Sequence, residues 1–156
     1  MSPYVPPSRW YLRLPRWSVC VLSVVVIDGL WVWFLMKCFL PSASGTLETL
    51  VAALAAVSTA ALFPLQASTY GYWAHATTAQ IDERQAAQRQ TAFYWTLLYV
   101  LTGILLAYIS VDAERLQTLL TMSVIRNYLF VLFLTALAMP TALLAWFDSG
   151  AHDDAG

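Results

Sequence analysis

Residues 17–40 read WSVCVLSVVVIDGLWVWFLMKCFL, an apolar run whose only two charged side chains are Asp28 and Lys37. A helix needs about 20 residues to cross a bilayer hydrocarbon core of about 30 Å. The run is also longer than the apolar part of a secretory signal, which has about 7–15 residues. We therefore predict a retained transmembrane helix here, with cleavage near residues 42–44 as the alternative.

Three further apolar segments follow this run, at 46–70, 92–111 and 122–147. Of the 156 residues, 60% are hydrophobic and 11% are charged, whereas soluble domains average about 25% charged residues. The formal net charge of −1 offers no basic face to a nucleic acid. The composition excludes an ordinary soluble protein, a disordered chain and a nucleic-acid-binding protein. It predicts a single all-α domain in the lipid bilayer, an antiparallel bundle of four transmembrane helices.

The basic residues predict how these helices are oriented, because cytoplasmic ends of membrane proteins carry an excess of Lys and Arg. With the N-terminus inside, the inner set is Arg9, Arg13, Arg16, Arg84 and Arg89, and the outer set is Lys37, Arg115 and Arg126. Four spans then return the C-terminus to the inside as well. Residues 73–91 become a cytoplasmic connector whose composition favours helix. We expect the membrane to be a bacterial inner (plasma) membrane.

Asp28 is the most unusual residue of the predicted spans, because it falls near the middle of the first one. Ionisable residues at that depth are rare, and they usually mark a function or a specific contact. Hydroxyl side chains are expected at a similar depth in the other three spans, and these are Ser58, Thr59, Thr102 and Thr135. We therefore predict an intramembrane polar site around Asp28. Asp28 is a structural hydrogen-bond anchor, a contact to a partner helix, or a proton or cation relay.

Small residues predict where helices approach one another closely. Ala52, Ala56 and Ala60 recur every four residues in the second span, and Gly103 and Ala107 form a shorter version in the third. Such stripes allow close backbone contact between membrane helices, either within the bundle or with a partner.

Two prolines predict helix bends at related positions. Residues 59–64 read TAALFP and residues 135–140 read TALAMP, so Pro64 and Pro140 end similar segments. Each proline lacks an N–H and frees a carbonyl about one turn earlier, which bends the helix. The repeat indicates a duplicated helical hairpin, or a chance match between segments rich in Thr and Ala.

No catalytic or metal-binding motif occurs, and the two histidines, His75 and His152, lie outside the spans. We expect no catalytic site, no metal and no cofactor. The leading hypothesis is a non-enzymatic multi-pass membrane protein that binds helices of other membrane proteins or self-associates. It would be an accessory or assembly subunit, or an immunity-type protein. The alternative is a small oligomeric transporter or pore in which Asp28 is the proton or ion site.

Overall fold

A computed structural model describes residues 12–40, 45–76, 81–112 and 121–148. These residues form five helices: α1 (Arg16–Phe39), α2 (Thr46–Gln66), α3 (Thr69–His75), α4 (Glu83–Asp112) and α5 (Met122–Phe147). The four long helices, α1, α2, α4 and α5, are long and apolar enough to cross a membrane. The described part of the chain has no β-strand, only an isolated bridge between Leu12 and Ser68.

The second predicted span, 46–70, is interrupted in the structure. The helix α2 ends at Gln66 and α3 begins at Thr69. Pro64 weakens the last turn of α2 because it has no N–H to donate. Ser68 then supplies the cap of α3, since its hydroxyl accepts from the Gly71 N–H at 3.2 Å and donates to the Leu65 carbonyl at 2.6 Å. A new helix therefore begins three residues beyond Gln66.

The helix α4 begins at Glu83, well before the predicted third span at 92–111. A capping box explains this start. The Gln85 N–H donates to the Asp82 carboxylate at 2.7 Å, and the Asp82 N–H donates to the Gln85 side-chain oxygen at 3.3 Å. The Arg89 guanidinium also donates to the carbonyl of Ala76, the C-cap residue of α3. Much of the predicted connector at 73–91 is therefore helical.

The helix α5 is the centre of the fold, because it contacts all four other helices. In its most apolar 18-residue window 56% of the residues are buried, against 28% in α1, 17% in α4 and 11% in α2. The helix α1 packs on α2 and α5, whereas α4 packs mainly on α5. The helices α2 and α4 therefore leave most of their surface to the bilayer or to other proteins.

The start of α1 lies against the end of α5. The Arg16 guanidinium donates to the carbonyls of Ala145, at 2.8 Å, and Trp146, at 3.2 Å. Carbonyls in the last turn of a helix lack intrahelical partners, so Arg16 satisfies two of them. The Tyr70 hydroxyl donates to the buried carboxylate of Asp148 at 2.8 Å and brings α3 to the same end of the molecule.

Candidate functional site

Asp28 lies on the side of α1 that faces away from the rest of the protein. The buried residues of α1 are Val19, Ser23, Val26 and Leu30. Asp28 is two residues from Val26, which is about 200° around a helix of 3.6 residues per turn. Its side chain is exposed, and so are its neighbours at intervals of three or four residues. These five residues, the outward stripe of α1, are Val21, Val24, Asp28, Val32 and Leu35.

The outward stripe combines four apolar side chains with one central carboxylate. Its valines and Leu35 are each between 44% and 52% exposed. Asp28 lies twelve residues from Arg16 and eleven from Phe39, which is about 17 Å from either end of α1 at 1.5 Å per residue. Nothing in the described ranges donates a hydrogen bond to Asp28 or forms an ion pair with it. The stripe therefore presents an unpartnered acid at the middle of an apolar helix face.

The structure does not gather the predicted polar site around Asp28. Ser58 and Thr135 are fully buried, but neither is hydrogen-bonded to Asp28. Thr59 and Thr102 are exposed on α2 and α4. Three of the five predicted residues are exposed and two are buried, so they do not form one site.

A different set of residues forms the intramembrane hydrogen-bond chain. The Trp31 indole N–H donates to the Tyr99 hydroxyl at 2.9 Å, and the Tyr99 and Thr135 hydroxyls are 2.7 Å apart. Thr135 also donates to the Val131 carbonyl at 2.8 Å. Tyr99 is therefore the donor to Thr135. The polar side-chain atoms of Trp31, Tyr99 and Thr135 all have hydrogen-bond partners. The polar chain of Trp31, Tyr99 and Thr135 links α1, α4 and α5.

Sequence reasoning included Thr135 but missed Trp31 and Tyr99 as polar partners. A buried Trp or Tyr normally finds a partner for its N–H or O–H. Trp31 lies deep within the first span, so the sequence indicates that its N–H needs an acceptor. The sequence does not indicate which residue accepts, because the contact between α1 and α4 joins residues 68 positions apart.

The predicted close approach at Gly103 appears at the contact between α4 and α5. A Cβ atom on Gly103 would lie 2.7 Å from a methyl carbon of Leu132. The Tyr128 hydroxyl donates to the Gly103 carbonyl at 2.7 Å, while its ring packs edge-on against Trp31 and Phe34. Ala107 lies further along α4, where it lines an apolar groove of about 330 Å³.

The predicted stripe of Ala52, Ala56 and Ala60 is exposed. The buried residues of α2 are Val51, Ser58 and Leu65, on the opposite face. There, α2 approaches α1 at Gly29, where a Cβ atom would lie 2.1 Å from the Ser58 hydroxyl oxygen. Gly29 was not singled out from the sequence. The alanine stripe remains uncovered by the described residues.

The two prolines lie close to one hydrogen-bonding side chain. The Gln66 side-chain NH₂ donates to the Leu137 carbonyl at 2.6 Å, and its oxygen accepts from the Thr141 hydroxyl at 3.3 Å. Leu137 and Thr141 flank Pro140, where the missing N–H interrupts the hydrogen bonding of α5. Gln66, two residues after Pro64, therefore supports the backbone of α5 at the second proline.

These observations define the class of the protein, which is an all-helical integral membrane protein with four potential spans. Within the described ranges, no group of three or more His, Cys, Asp and Glu side chains is placed to hold a metal ion. No protein-family model, curated protein or solved structure matches the chain.

Proposed function

We propose that this chain is a non-enzymatic multi-pass membrane protein that binds a helix of another membrane protein through the outward stripe of α1. One observation carries the proposal, the exposed and unpartnered carboxylate of Asp28 at the middle of a spanning helix. A charged side chain at the bilayer centre costs about 2.5–3.5 kcal/mol on insertion scales. A partner helix would remove that cost by covering Asp28 and providing a hydrogen bond.

The flanks of Asp28 suit this role. Val21, Val24, Val32 and Leu35 form an uninterrupted apolar surface on both sides of the acid. Valine loses little side-chain freedom when a neighbouring helix packs on it, because its χ1 angle is already restricted. A single polar residue in an apolar helix seam also specifies register and partner. An accessory or assembly subunit, or an immunity-type protein, acts through such a contact.

The proposal includes the arrangement in the membrane. We propose an antiparallel bundle of four helices with both termini on the cytoplasmic side of a bacterial inner membrane. The contact between Arg16 and the last turn of α5 supports a common side for the two ends. The basic residues before α1, Arg9 and Arg13, and those in the first two turns of α4, Arg84 and Arg89, support the cytoplasmic assignment.

The alternative is a small oligomeric transporter or pore that uses Asp28 as its proton or ion site. The outward position of Asp28 bears on this alternative too. A path lined by Asp28 would run between copies of the chain, because Asp28 is exposed and lies away from the buried residues of α1.

Photo-cross-linking combined with flux measurement separates the two functions. A photoreactive residue replaces Val24 in the outward stripe or Leu101 on α4, which is 53% exposed and serves as the matched control. We expect a protein adduct of discrete mass from position 24 in native membranes, its loss with Asp28→Leu, and only lipid adducts from position 101. Proton or cation flux in liposomes that is present in the wild type and lost in Asp28→Asn would instead establish the transporter.

A further inference from the structure

The carboxylate of Asp28 has no positively charged neighbour at its own depth among the residues that the structure describes. Lys37 is the other charged residue within α1 beyond Arg16, but it lies nine positions from Asp28, which is about 13 Å along the helix and roughly half a turn around it. Arg16 is engaged with the end of α5. Arg126 lies in the first turns of α5, near the membrane surface. The described cations therefore lie towards helix ends.

We propose that the occupant of the outward stripe is a transmembrane helix with a lysine or arginine at the bilayer midplane, which forms an ion pair with Asp28. This inference rests on the proposed function of the stripe as a helix-binding face. Ionisable residues inside membranes pair with one another, and a hydrogen bond between two charged groups is stronger than one between neutral groups. The pair removes two isolated charges from the hydrocarbon core in one contact.

A second copy of this chain is a poorer occupant. Copies inserted in the same orientation have parallel α1 helices at equal depth, so Asp28 would face Asp28. Two negative charges at one site in a medium of low dielectric constant repel each other, and neither carboxylate offers the other a hydrogen-bond donor. The rest of the outward stripe is Val and Leu, which offers no donor.

The described hydroxyl and indole groups nearest to Asp28 are not bonded to it. Ser58, whose buried hydroxyl has no hydrogen-bond partner, lies against Gly29 on the side of α1 that packs on α2. The indole N–H of Trp31, three residues away on α1, is already bonded to Tyr99. Ser23 accepts from the Trp146 indole at 3.2 Å and donates to the Cys20 carbonyl at 2.7 Å, on the buried side of the helix. The donor to Asp28 therefore comes from another molecule, and lipid headgroups do not reach the midplane.

Synthetic helices provide the test. The full chain with Cys20→Ala is labelled at Cys38 with a fluorescence donor and reconstituted at low density in phosphatidylcholine vesicles. Acceptor-labelled apolar peptides of about 20 residues, long enough to span, carry Lys, Gln, Asp or Leu at their centre. We expect the Lys peptide to associate about tenfold more tightly than the Leu peptide, as the gain of a charge-assisted pair requires. That preference disappears with Asp28→Leu.

Two variants guard against indirect effects. In Asp28→Leu/Leu101→Asp the carboxylate moves to the exposed face of α4, and we expect no Lys-peptide adduct from a photoreactive residue at position 24, because a peptide paired with position 101 does not cover the outward stripe. In Asp28→Lys the charge is reversed, and we expect the preference to move to the Asp peptide. A reversed preference excludes misfolding as the cause of lost binding.

Three outcomes would overturn the inference. Equal association of the Lys and Leu peptides would leave the outward stripe as a helix-binding face whose partner is not chosen by charge, so the proposed function would survive. Energy transfer between labelled copies of the wild type would make the second copy the occupant if it shows tighter association than with any peptide. That energy transfer would also have to be lost in Asp28→Leu. If no peptide associates while the cross-link at position 24 still forms, the partner binds the outward stripe by a contact other than an ion pair with a central Lys or Arg.

Discussion

Asp28 and Trp31 are three residues apart on α1 and lie at nearly the same depth, but their surroundings are opposite. The Trp31 N–H donates to the Tyr99 hydroxyl, which donates to the Thr135 hydroxyl. Thr135 in turn donates to a backbone carbonyl of α5. The Asp28 carboxylate is exposed and has no partner among the residues that the structure describes. Trp31 is therefore paired within the bundle, whereas Asp28, about 60° away around the helix, has no partner among the described residues.

This difference shows that depth in the membrane does not determine which polar groups meet. Residues at one level of a helix bundle meet only if their helices are rotated towards one another, and that rotation follows from the packing of the apolar faces. The inward side of α1 is selected by small and apolar residues such as Gly29, Val26 and Leu30. Asp28 then points outward because it lies about 200° from Val26.

The inward side should be the more sensitive to substitution, and Gly29→Leu is expected to have the largest effect. A Cβ atom at this position already meets the Ser58 hydroxyl oxygen at 2.1 Å, so a larger side chain forces α1 and α2 apart. Overpacking of this kind lowers the free energy of unfolding by about 1–3 kcal/mol. Thermal unfolding in detergent measures it, with Val32→Leu on the outward stripe as the control. Equal melting temperatures for the two variants would contradict the close approach at Gly29.

Tyr99→Phe is expected to have the next largest effect, because it removes one hydroxyl from the polar chain. The Trp31 N–H then loses its acceptor and Thr135 loses a donor. Hydrogen bonds between membrane helices contribute about 0.6 kcal/mol on average and up to about 1.7 kcal/mol, so the two lost bonds predict a decrease of about 1–2 kcal/mol. Tyr94→Phe is the matched control, since Tyr94 is 58% exposed on the same helix.

Unfolding measured in detergent by steric trapping or by chemical denaturant compares these two variants. A Tyr99→Phe protein as stable as Tyr94→Phe would mean that the polar chain contributes nothing to the contact between α1, α4 and α5. In that case the effects of Tyr99→Phe and Thr135→Val on the free energy of unfolding should also add in the double variant. Coupling between the two sites is expected instead, because one hydrogen bond connects them.

The sequence predicts some parts of this fold and not others. Apolar length alone located the four spanning helices, because a bilayer requires about 20 apolar residues in each. The end of α2 at Gln66 was less accessible to sequence reasoning. Pro64 was recognised as a bend, but the break also depends on the capping hydroxyl of Ser68 and on the Leu12 N–H, which donates to the Ala67 carbonyl at 2.6 Å.

The candidate site was predicted only in part, and the reason is geometric. The sequence identifies Asp28 as an unusual residue, since its chemistry conflicts with its depth. It does not show which side of α1 is covered, because α1 is apolar on nearly all sides. The pairing of Trp31 with Tyr99 depends on the contact of α4 with α5, which the sequence pattern does not encode.

Asp28→Leu tests the outward side, and we expect little change or a small increase in the stability of the isolated chain. No described hydrogen bond is lost, and an exposed carboxylate in an apolar surface is replaced by an apolar side chain. The same substitution should abolish the protein adduct from position 24. A large loss of stability in detergent would show that Asp28 has an internal structural role, as Trp31 has.

Ala56→Leu is expected to have the smallest effect, and it asks whether α2 has a partner of its own. Ala56 is exposed on the face of α2 opposite to Val51, Ser58 and Leu65, so a leucine meets no described residue. The free energy of unfolding of the isolated chain should therefore change by no more than about 0.5 kcal/mol, as for other surface substitutions. Leu65→Ala, at a fully buried position of the same helix, provides the contrast and should be clearly destabilising.

The outcome for Ala56→Leu decides whether α2 has a partner, because a stripe of small residues permits close approach only while its residues remain small. An Ala56→Leu protein that keeps its stability but loses an oligomer or a co-purifying protein would identify α2 as a second contact face. If Ala56→Leu lowers the stability of the isolated monomer as much as Leu65→Ala does, the stripe is covered within the chain, and the division of α2 into a packed face and a free face is wrong.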